Sequence, residues 1–302
     1  MDPGHLGTAF HGGGHYENFP VASWLLPAEM RGALLALYRF ARTGDDLADE
    51  GNLAPEVRRA GLHALRIGLH GQNTQSVKPA EHQEIGSALR VELLARQLDI
   101  VQAEKLLGAF EMDVLHEPYP TISELMVYCR YSADPIGRIM LATAKIIDDP
   151  NADCPITAAS DAICSGLQLV NFAQDMGQDC TRQRIYVPRQ WWPEGWLPAA
   201  GAQALSDQVK HQWATQMARL GQDHLVRGAV LLNHIRRSAR GPRMRLGLEI
   251  AMVIEGGLAI SRRVLADPLA VWRKSPVLSR TDLAVIVLQA MMTFVHPHRH
   301  RT

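Results

Sequence analysis

Two pairs of aspartates at i, i+4 spacing are the residues through which this chain can do chemistry. The first set lies in Tyr38-Arg39-Phe40-Ala41-Arg42-Thr43-Gly44-Asp45-Asp46-Leu47-Ala48-Asp49. Steps of four, three and four put Tyr38, Arg42, Asp45 and Asp49 on one stripe of a helix. The second set lies in Gln168-Leu169-Val170-Asn171-Phe172-Ala173-Gln174-Asp175-Met176-Gly177-Gln178-Asp179. Here steps of three, four and four align Gln168, Asn171, Asp175 and Asp179. Like charges four residues apart repel on a bare helix, so each pair needs a reason to exist.

The surroundings of the second pair supply one. Between Ser160 and Cys180 the only charged residues are Asp161, Asp175 and Asp179, and most of the others are apolar or small. A helix that is apolar around most of its circumference is normally buried. Carboxylates in such a setting carry a large desolvation cost unless something cationic meets them. Hard divalent cations with oxygen ligands fit, and Mg²⁺ in particular is held by a few carboxylates together with substrate phosphates. Either pair alone is as readily a solvated helix face; the two together, one without a Lys or Arg on its own helix, argue for a site. Directly downstream, Arg182-Gln183-Arg184-Ile185-Tyr186-Val187-Pro188 offers guanidinium forks that match phosphate oxygens and a phenol that can donate to them, and Arg42 adds another fork. Acid pairs, Mg²⁺ and arginines together describe a diphosphate clamp, with the apolar remainder of both helices available to line a pocket for a greasy tail.

The elements that must hold these residues are helices. Helical patterns run from Pro27 to Glu50, over 53–70, from Glu81 to about Asp99 and from Ala103 to His116. Thr121-Ile-Ser-Glu124 is a capping box opening a helix that carries Tyr128. Further helices are predicted from Pro155 to about Asp179, over 203–237 and 243–265, and from Arg280 to Phe294, with a Trp/Pro-rich loop over 184–198. No internal repeat and no Pro/Gly/Ser-rich linker divides the chain. At 302 residues and 47% hydrophobic content, one all-α domain over 15–294 is expected, with a loose arm at 1–14 and a disordered basic tail at 295–302. Equal counts of basic and acidic residues, 31 each, argue against nucleic acid as a partner. The four cysteines show no metal-ligand spacing and read as reduced, buried thiols. The first twenty residues lack the basic and apolar regions of a signal peptide, and no run is long and apolar enough to span a membrane, so a cytoplasmic protein is expected.

With these residues in place, the chain resembles the squalene/phytoene synthase family of trans-isoprenyl diphosphate synthases. The resemblance runs from His15 to about Asp282 and rests on His15-x-x-x-Phe19, Tyr38-x-x-x-Arg42-x-x-Asp45-Asp46-x-x-Asp49, Gln168-x-x-Asn171-x-x-x-Asp175-x-x-x-Asp179 and Arg184-Ile185-Tyr186. The segments HYENFPVAS (15–23), FARTGDDLADEG (40–51), YCRYSADPIGR (128–138) and NFAQD (171–175) resemble one branch, the bacterial hydroxysqualene synthases of hopanoid biosynthesis. Two positions depart from the carotenoid-type synthases: Gln174 stands where those often have Arg, and Arg130 where they often have a cavity Tyr. Loss of a basic phosphate contact suits an enzyme that takes one diphosphate already condensed.

The resemblance implies a single helical bundle around a central cavity, with the acid motifs facing each other across it. It implies Mg²⁺ held by Asp45, Asp49, Asp175 and Asp179, with Asn171 in the metal-binding motif. It implies diphosphate contacts from Arg42, Arg184 and Tyr186, and further substrate contacts from His15, Tyr38, Arg130 and Gln168, with Phe19 as a cavity wall. The implied substrate is presqualene diphosphate, which would ionise and be captured by water held by Asn171, Gln174 or Tyr131. The alternatives are a head-to-head condensing enzyme acting on farnesyl or related prenyl diphosphates, and a non-catalytic relative that binds lipid or a partner; the completeness of both acid pairs speaks against the latter. An insoluble product implies peripheral membrane contact and coupling to a presqualene diphosphate synthase, although no basic amphipathic helix stands out in the sequence.

Overall fold

A computed structural model describes residues 28–49, 53–72, 77, 79–238 and 242–295, with the side chains of 49, 238, 242 and 243 left aside. Twelve α-helices account for most of the described residues, and no strand occurs among them. They are α1 (Ala28–Asp49), α2 (Pro55–Leu69), α3 (Ala80–Leu94), α4 (Val101–Val114), α5 (Ile122–Ser132), α6 (Asp134–Thr143), α7 (Pro155–Gln174), α8 (Met176–Thr181), α9 (Asp207–Gly228), α10 (Leu231–Ser238), α11 (Pro242–Ala266) and α12 (Arg280–Val295).

Local chemistry sets most of the boundaries. Thr121 caps α5 through both bonds of the expected capping box: its hydroxyl accepts from the Glu124 N–H, and Glu124 accepts from the Thr121 N–H. Pro155 occupies the first turn of α7, where its missing N–H costs nothing, and Ser206 caps α9 through the Val209 N–H. Three boundaries differ from the predicted ones. Helix α3 stops at Leu94 rather than near Asp99, because Gln97 takes a left-handed conformation (φ 60°) and the Leu98 N–H closes onto Leu93 O at 3.0 Å. The helix expected over 203–237 is broken between Gly228 and Leu231. The helix expected to run to Asp179 breaks at Asp175 and resumes as α8. Helix α6 is an element the sequence patterns do not announce; Pro135 in its first turn separates it from α5.

The helices form two groups. Helices α1 to α4 pack on one another, and α7 packs against α9, α11, α6 and α5. Helix α6 touches α1, α4 and α7, so it spaces the first acid helix from the second; α1 and α7 are not an extensively packed pair. The α7–α9 contact is close because glycines face each other across it. A Cβ on Gly166 would lie 2.9 Å from the Leu225 nitrogen, and one on Gly221 would lie 2.9 Å from the Gly166 oxygen. The buried core runs through both groups, from Phe40, Leu62 and Leu65 to Leu169, Trp213 and Leu225. The expected arm at 1–14 lies outside the described residues, as does the tail beyond Val295; Val295 itself ends α12.

Candidate active site

From Ile163 to Cys180 every residue is buried except Gln168, Asn171, Asp175, Gln178 and Asp179, which are half-exposed. Four of these five are the residues that helical spacing places on one stripe. The stripe survives the break at Asp175 because the bond pattern does: the Asp175 N–H donates to Asn171 O (2.9 Å), and the Asp179 N–H donates to Asp175 O (2.8 Å). Gly177 lets α8 lie against the 270–272 turn, since a Cβ there would meet Val271 O at 2.6 Å.

The end of α8 turns the chain back onto the acids. Gln183 is left-handed (φ 60°), and the Arg184 N–H donates to Asp179 O at 2.9 Å, closing the helix. Arg184 is thereby buried beside Asp113 of α4, with Nη2 3.1 Å from Asp113 Oδ1 and Nη1 donating to the Asp113 carbonyl at 3.3 Å. The second carboxylate oxygen of Asp113 accepts from the Tyr128 hydroxyl at 2.5 Å. Arg184 also donates to the Tyr186 hydroxyl, from Nε at 3.3 Å and Nη2 at 3.2 Å. Burial, with the Asp113 charge behind it, pushes the Tyr186 and Tyr128 phenols far above their usual range, so both stay protonated. Because the Tyr186 oxygen is the acceptor for Arg184, its own hydrogen is directed elsewhere. Tyr186 stacks on Phe172 of α7 (centroids 4.0 Å apart, planes 9° apart), and Tyr119, Tyr128 and His116 complete the aromatic surround. Asp113 and His116 were not singled out by the sequence reading. The nearest signal was their position in α4, where an acid one turn beyond Ala109 and Phe110 on the buried side of the helix needs a cation.

On α1, Tyr38 and Arg42 are half-buried, and Asp45 is exposed. Arg42 Nη2 lies 2.8 Å from Asp46 and Nη1 lies 3.9 Å from Asp45, so this arginine is already balanced by the acids of its own motif. Asp49 closes the helix. His15 and Phe19 lie outside the described residues. Among the described residues no three His, Cys, Asp or Glu side chains gather closely enough to enclose a metal ion on their own. That arrangement still fits Mg²⁺, which takes one or two carboxylates and fills its remaining positions with water and phosphate oxygens.

Gln174 is buried off the stripe, and its Nε2 donates to Pro276 O at 2.8 Å, tying α7 to the segment before α12. Arg130 is exposed at the end of α5, where its charge acts on Asp134 and Asp153. Most of the apolar remainder of α7 packs against neighbouring helices, and Phe172 also bounds a small cavity. The cavity beside Asp179, bounded also by Phe172, Arg184, Tyr186, Trp213 and Trp272, has about 10 Å³ of room for a water-sized sphere. That is space for about one water molecule, far below the roughly 300 Å³ or more of a drug-sized ligand pocket.

The other end of α7 is closed by protein groups. Arg138 grips Asp161 with two bonds (2.9 and 2.6 Å) and also reaches Asp153 at 2.9 Å. Buried Asp134 accepts from the Ser165 hydroxyl at 2.7 Å. Burial and the nearby Asp161 charge push the Asp134 carboxyl up to about 7.

An all-helical bundle of this kind is the architecture of the isoprenoid synthases. A crystal structure of the squalene synthase HpnC from Alicyclobacillus acidocaldarius superposes with a TM-score of 0.65 at 28% identity, covering 84% of this chain and 90% of that one. A dehydrosqualene synthase shares the fold at 17% identity with a TM-score of 0.58, covering 90% of this chain and 89% of that one. The squalene/phytoene synthase family matches residues 13–282, and the chain belongs to it. Among curated relatives, the hydroxysqualene synthase of Rhodopseudomonas palustris is 38% identical over 240 residues, 78% of this chain and 75% of that one. That of Sinorhizobium fredii is 36% identical, covering 72% and 68%.

Proposed function

We propose that this protein is a hydroxysqualene synthase, converting presqualene diphosphate and water to hydroxysqualene and diphosphate. The observation that carries this is the half-exposed stripe Gln168–Asn171–Asp175–Asp179, continued by the return of Arg184 and Tyr186, in a chain 38% and 36% identical to hydroxysqualene synthases. Asp45, Asp49, Asp175 and Asp179, with Asn171, would hold Mg²⁺, which when bound supplies Lewis acidity to the leaving diphosphate.

The chain's own groups do the rest. Asp113 holds Arg184, Arg184 donates to the Tyr186 oxygen, and the Tyr186 hydroxyl, kept protonated by burial, is free to donate to a phosphate oxygen. Tyr38 and Arg42 of α1 would add contacts to the diphosphate, Arg42 by exchanging its bond to Asp46 for one to a phosphate oxygen, and Gln168 continues the polar stripe along α7. The carbon–oxygen bond to diphosphate breaks with both electrons leaving on the diphosphate. The resulting cyclopropylcarbinyl cation opens by breaking one carbon–carbon bond of its three-membered ring, the oxygen of a water forms the new carbon–oxygen bond on the opened chain, and the water's proton passes to the released diphosphate. The candidates for orienting that water are Asn171, half-exposed on the stripe, Gln174 and Tyr131. We place the enzyme in the cytoplasm, peripheral to the membrane that takes up its product, and downstream of a reaction that makes presqualene diphosphate.

A second reading, a condensing or reducing enzyme, is favoured by the description of the Alicyclobacillus relative as a squalene synthase. Separate incubations with farnesyl diphosphate and presqualene diphosphate, each with Mg²⁺ and with or without NADPH, distinguish the two. Hydroxysqualene from presqualene diphosphate, with little squalene even when NADPH is supplied, is expected. Squalene rising in proportion to NADPH, or turnover of farnesyl diphosphate alone, would replace this proposal with the condensing one.

A further inference from the structure

Helix α12 is apolar on two opposite faces. Ile286, Ala290, Thr293 and Phe294 are buried, and the helix packs on α11. Val285, Leu288, Met291 and Val295 form the opposite stripe and are between 49% and 60% exposed. From Leu283 to Val295 the only polar residues are Gln289 and Thr293. A helix apolar all round is normally buried on all sides, and a contiguous outward apolar stripe marks a surface that is covered in use.

The charges around the stripe indicate what covers it. Arg262 donates to Gln289 at 3.5 Å, and Arg236 donates to the Val295 carbonyl at 2.6 Å, so cations sit beside the middle and at the C-terminal end of the helix. Arg237, Arg273, Lys274 and Arg280 are exposed near its two ends. The nearby acids are few: Glu255 is buried and accepts from the Thr293 hydroxyl, Asp282 is bonded to Arg263 and Ser279, and Asp267 lies 3.9 Å from Arg273. Beyond Val295 the sequence continues HPHRHRT, adding Arg299 and Arg301. A second copy packed on this stripe would bring like-charged ends together in either orientation, and that repulsion disfavours a dimer. An anionic lipid surface accepts both the apolar stripe and the cations that flank it.

We propose that α12 is a membrane-docking helix that lies in the plane of an anionic bilayer. Val285, Leu288, Met291 and Val295 enter the acyl boundary, and the flanking arginines meet lipid phosphates. No helix among the described residues is long and apolar enough to cross a membrane, so the contact is peripheral. The proposal rests on the preceding functional reading only for its purpose, delivery of an apolar product into lipid; the binding is measured without substrate and stands or falls separately.

The test is flotation of the full chain with vesicles of equal phosphatidylglycerol and phosphatidylcholine, against pure phosphatidylcholine, at low and high salt. The wild type should float with the anionic vesicles at low salt and be released by high salt. Leu288→Glu with Met291→Glu should abolish flotation while leaving the thermal melt unchanged. Arg262→Glu or Arg280→Glu, which spare the apolar stripe, should each weaken binding by about fivefold or more. The proposal is overturned if the wild type fails to float, if it floats equally on both vesicle types, or if the double variant floats like the wild type. It is also overturned if sedimentation velocity without lipid finds a dimer that the double variant splits, because the stripe then belongs to a second copy.

Discussion

The two ends of α7 treat the same residue type in opposite ways. At the N-terminal end, Asp161 is clasped by both arms of Arg138 from α6, and Asp134 is covered and bonded by Ser165. At the C-terminal end, Asp175 and Asp179 lie half-exposed on a stripe with Gln168 and Asn171, and α7 and α8 contribute no Lys or Arg. Asp161, itself partly exposed, is answered by a cation from α6, whereas Asp175 and Asp179 lie on the polar stripe to which we assign diphosphate binding. The buried Asp113–Arg184 pair stands between these cases, since its acid is paired like Asp161 but its arginine aims Tyr186 at the region of Asp179.

The largest effect is expected at the C-terminal end. Asp175→Asn or Asp179→Asn should lower kcat on presqualene diphosphate by on the order of 1000-fold, the scale of losing one preorganised electrostatic contact to a developing anion. Circular dichroism should remain that of the wild type. Asp161→Asn should do the reverse, lowering the melting temperature and sparing turnover of the folded fraction; equal kinetic loss at both ends would erase the distinction.

Next in size is the intermediate case. Asp113→Asn leaves a buried guanidinium without its anion and should cost about 3 kcal/mol of unfolding free energy in urea titrations. Tyr128→Phe removes only a donor to that carboxylate and should cost about 1 kcal/mol or somewhat more. If Asp113→Asn proves as mild as Tyr128→Phe, the pair does not hold Arg184.

Asp134 sharpens the picture of the closed end through pH. Its folded carboxyl is raised to about 7, so the native state holds a proton there that the unfolded chain releases near pH 4. The native state binds more protons in that window, so stability falls as pH rises from about 4 to about 7. Asp134→Asn should flatten this slope, recovering on the order of 2 kcal/mol at pH 8. A wild-type stability rising between pH 5 and 7, with an unchanged slope in Asp134→Asn, would contradict the assignment.

The smallest effect belongs to Gln174. Gln174→Leu should cost about 1 kcal/mol, the worth of its bond to Pro276, with the product unchanged if Asn171 or Tyr131 orients the water. A shift of product toward eliminated hydrocarbons would assign that water to Gln174.

Much of this contrast is legible in the sequence, because helical spacing depends only on residue number. The stripe of Gln168, Asn171, Asp175 and Asp179, the capping box at Thr121 and the all-helical class all follow from it. What spacing cannot report is which cation answers which acid across helices. Arg138 for Asp161, Asp113 for Arg184 and Pro276 for Gln174 are separated by 23, 71 and 102 positions. Nor does it tell which of two apolar faces α12 buries, since Ile286 and Leu288 read alike until α11 covers one of them. The stop at Gln97 and the return at Gln183 place glutamine in left-handed turns where glycine is the usual sign, so composition gives no warning.

The most direct test of the contrast between the two ends of α7 is calorimetric titration of Mg²⁺ with inorganic diphosphate into folded wild type, Asp161→Asn and Asp175→Asn proteins. Metal-dependent diphosphate binding should be retained in the wild type and Asp161→Asn and lost in Asp175→Asn. Binding that survives in Asp175→Asn, or that disappears equally in Asp161→Asn, would contradict a diphosphate clamp at the C-terminal end of α7.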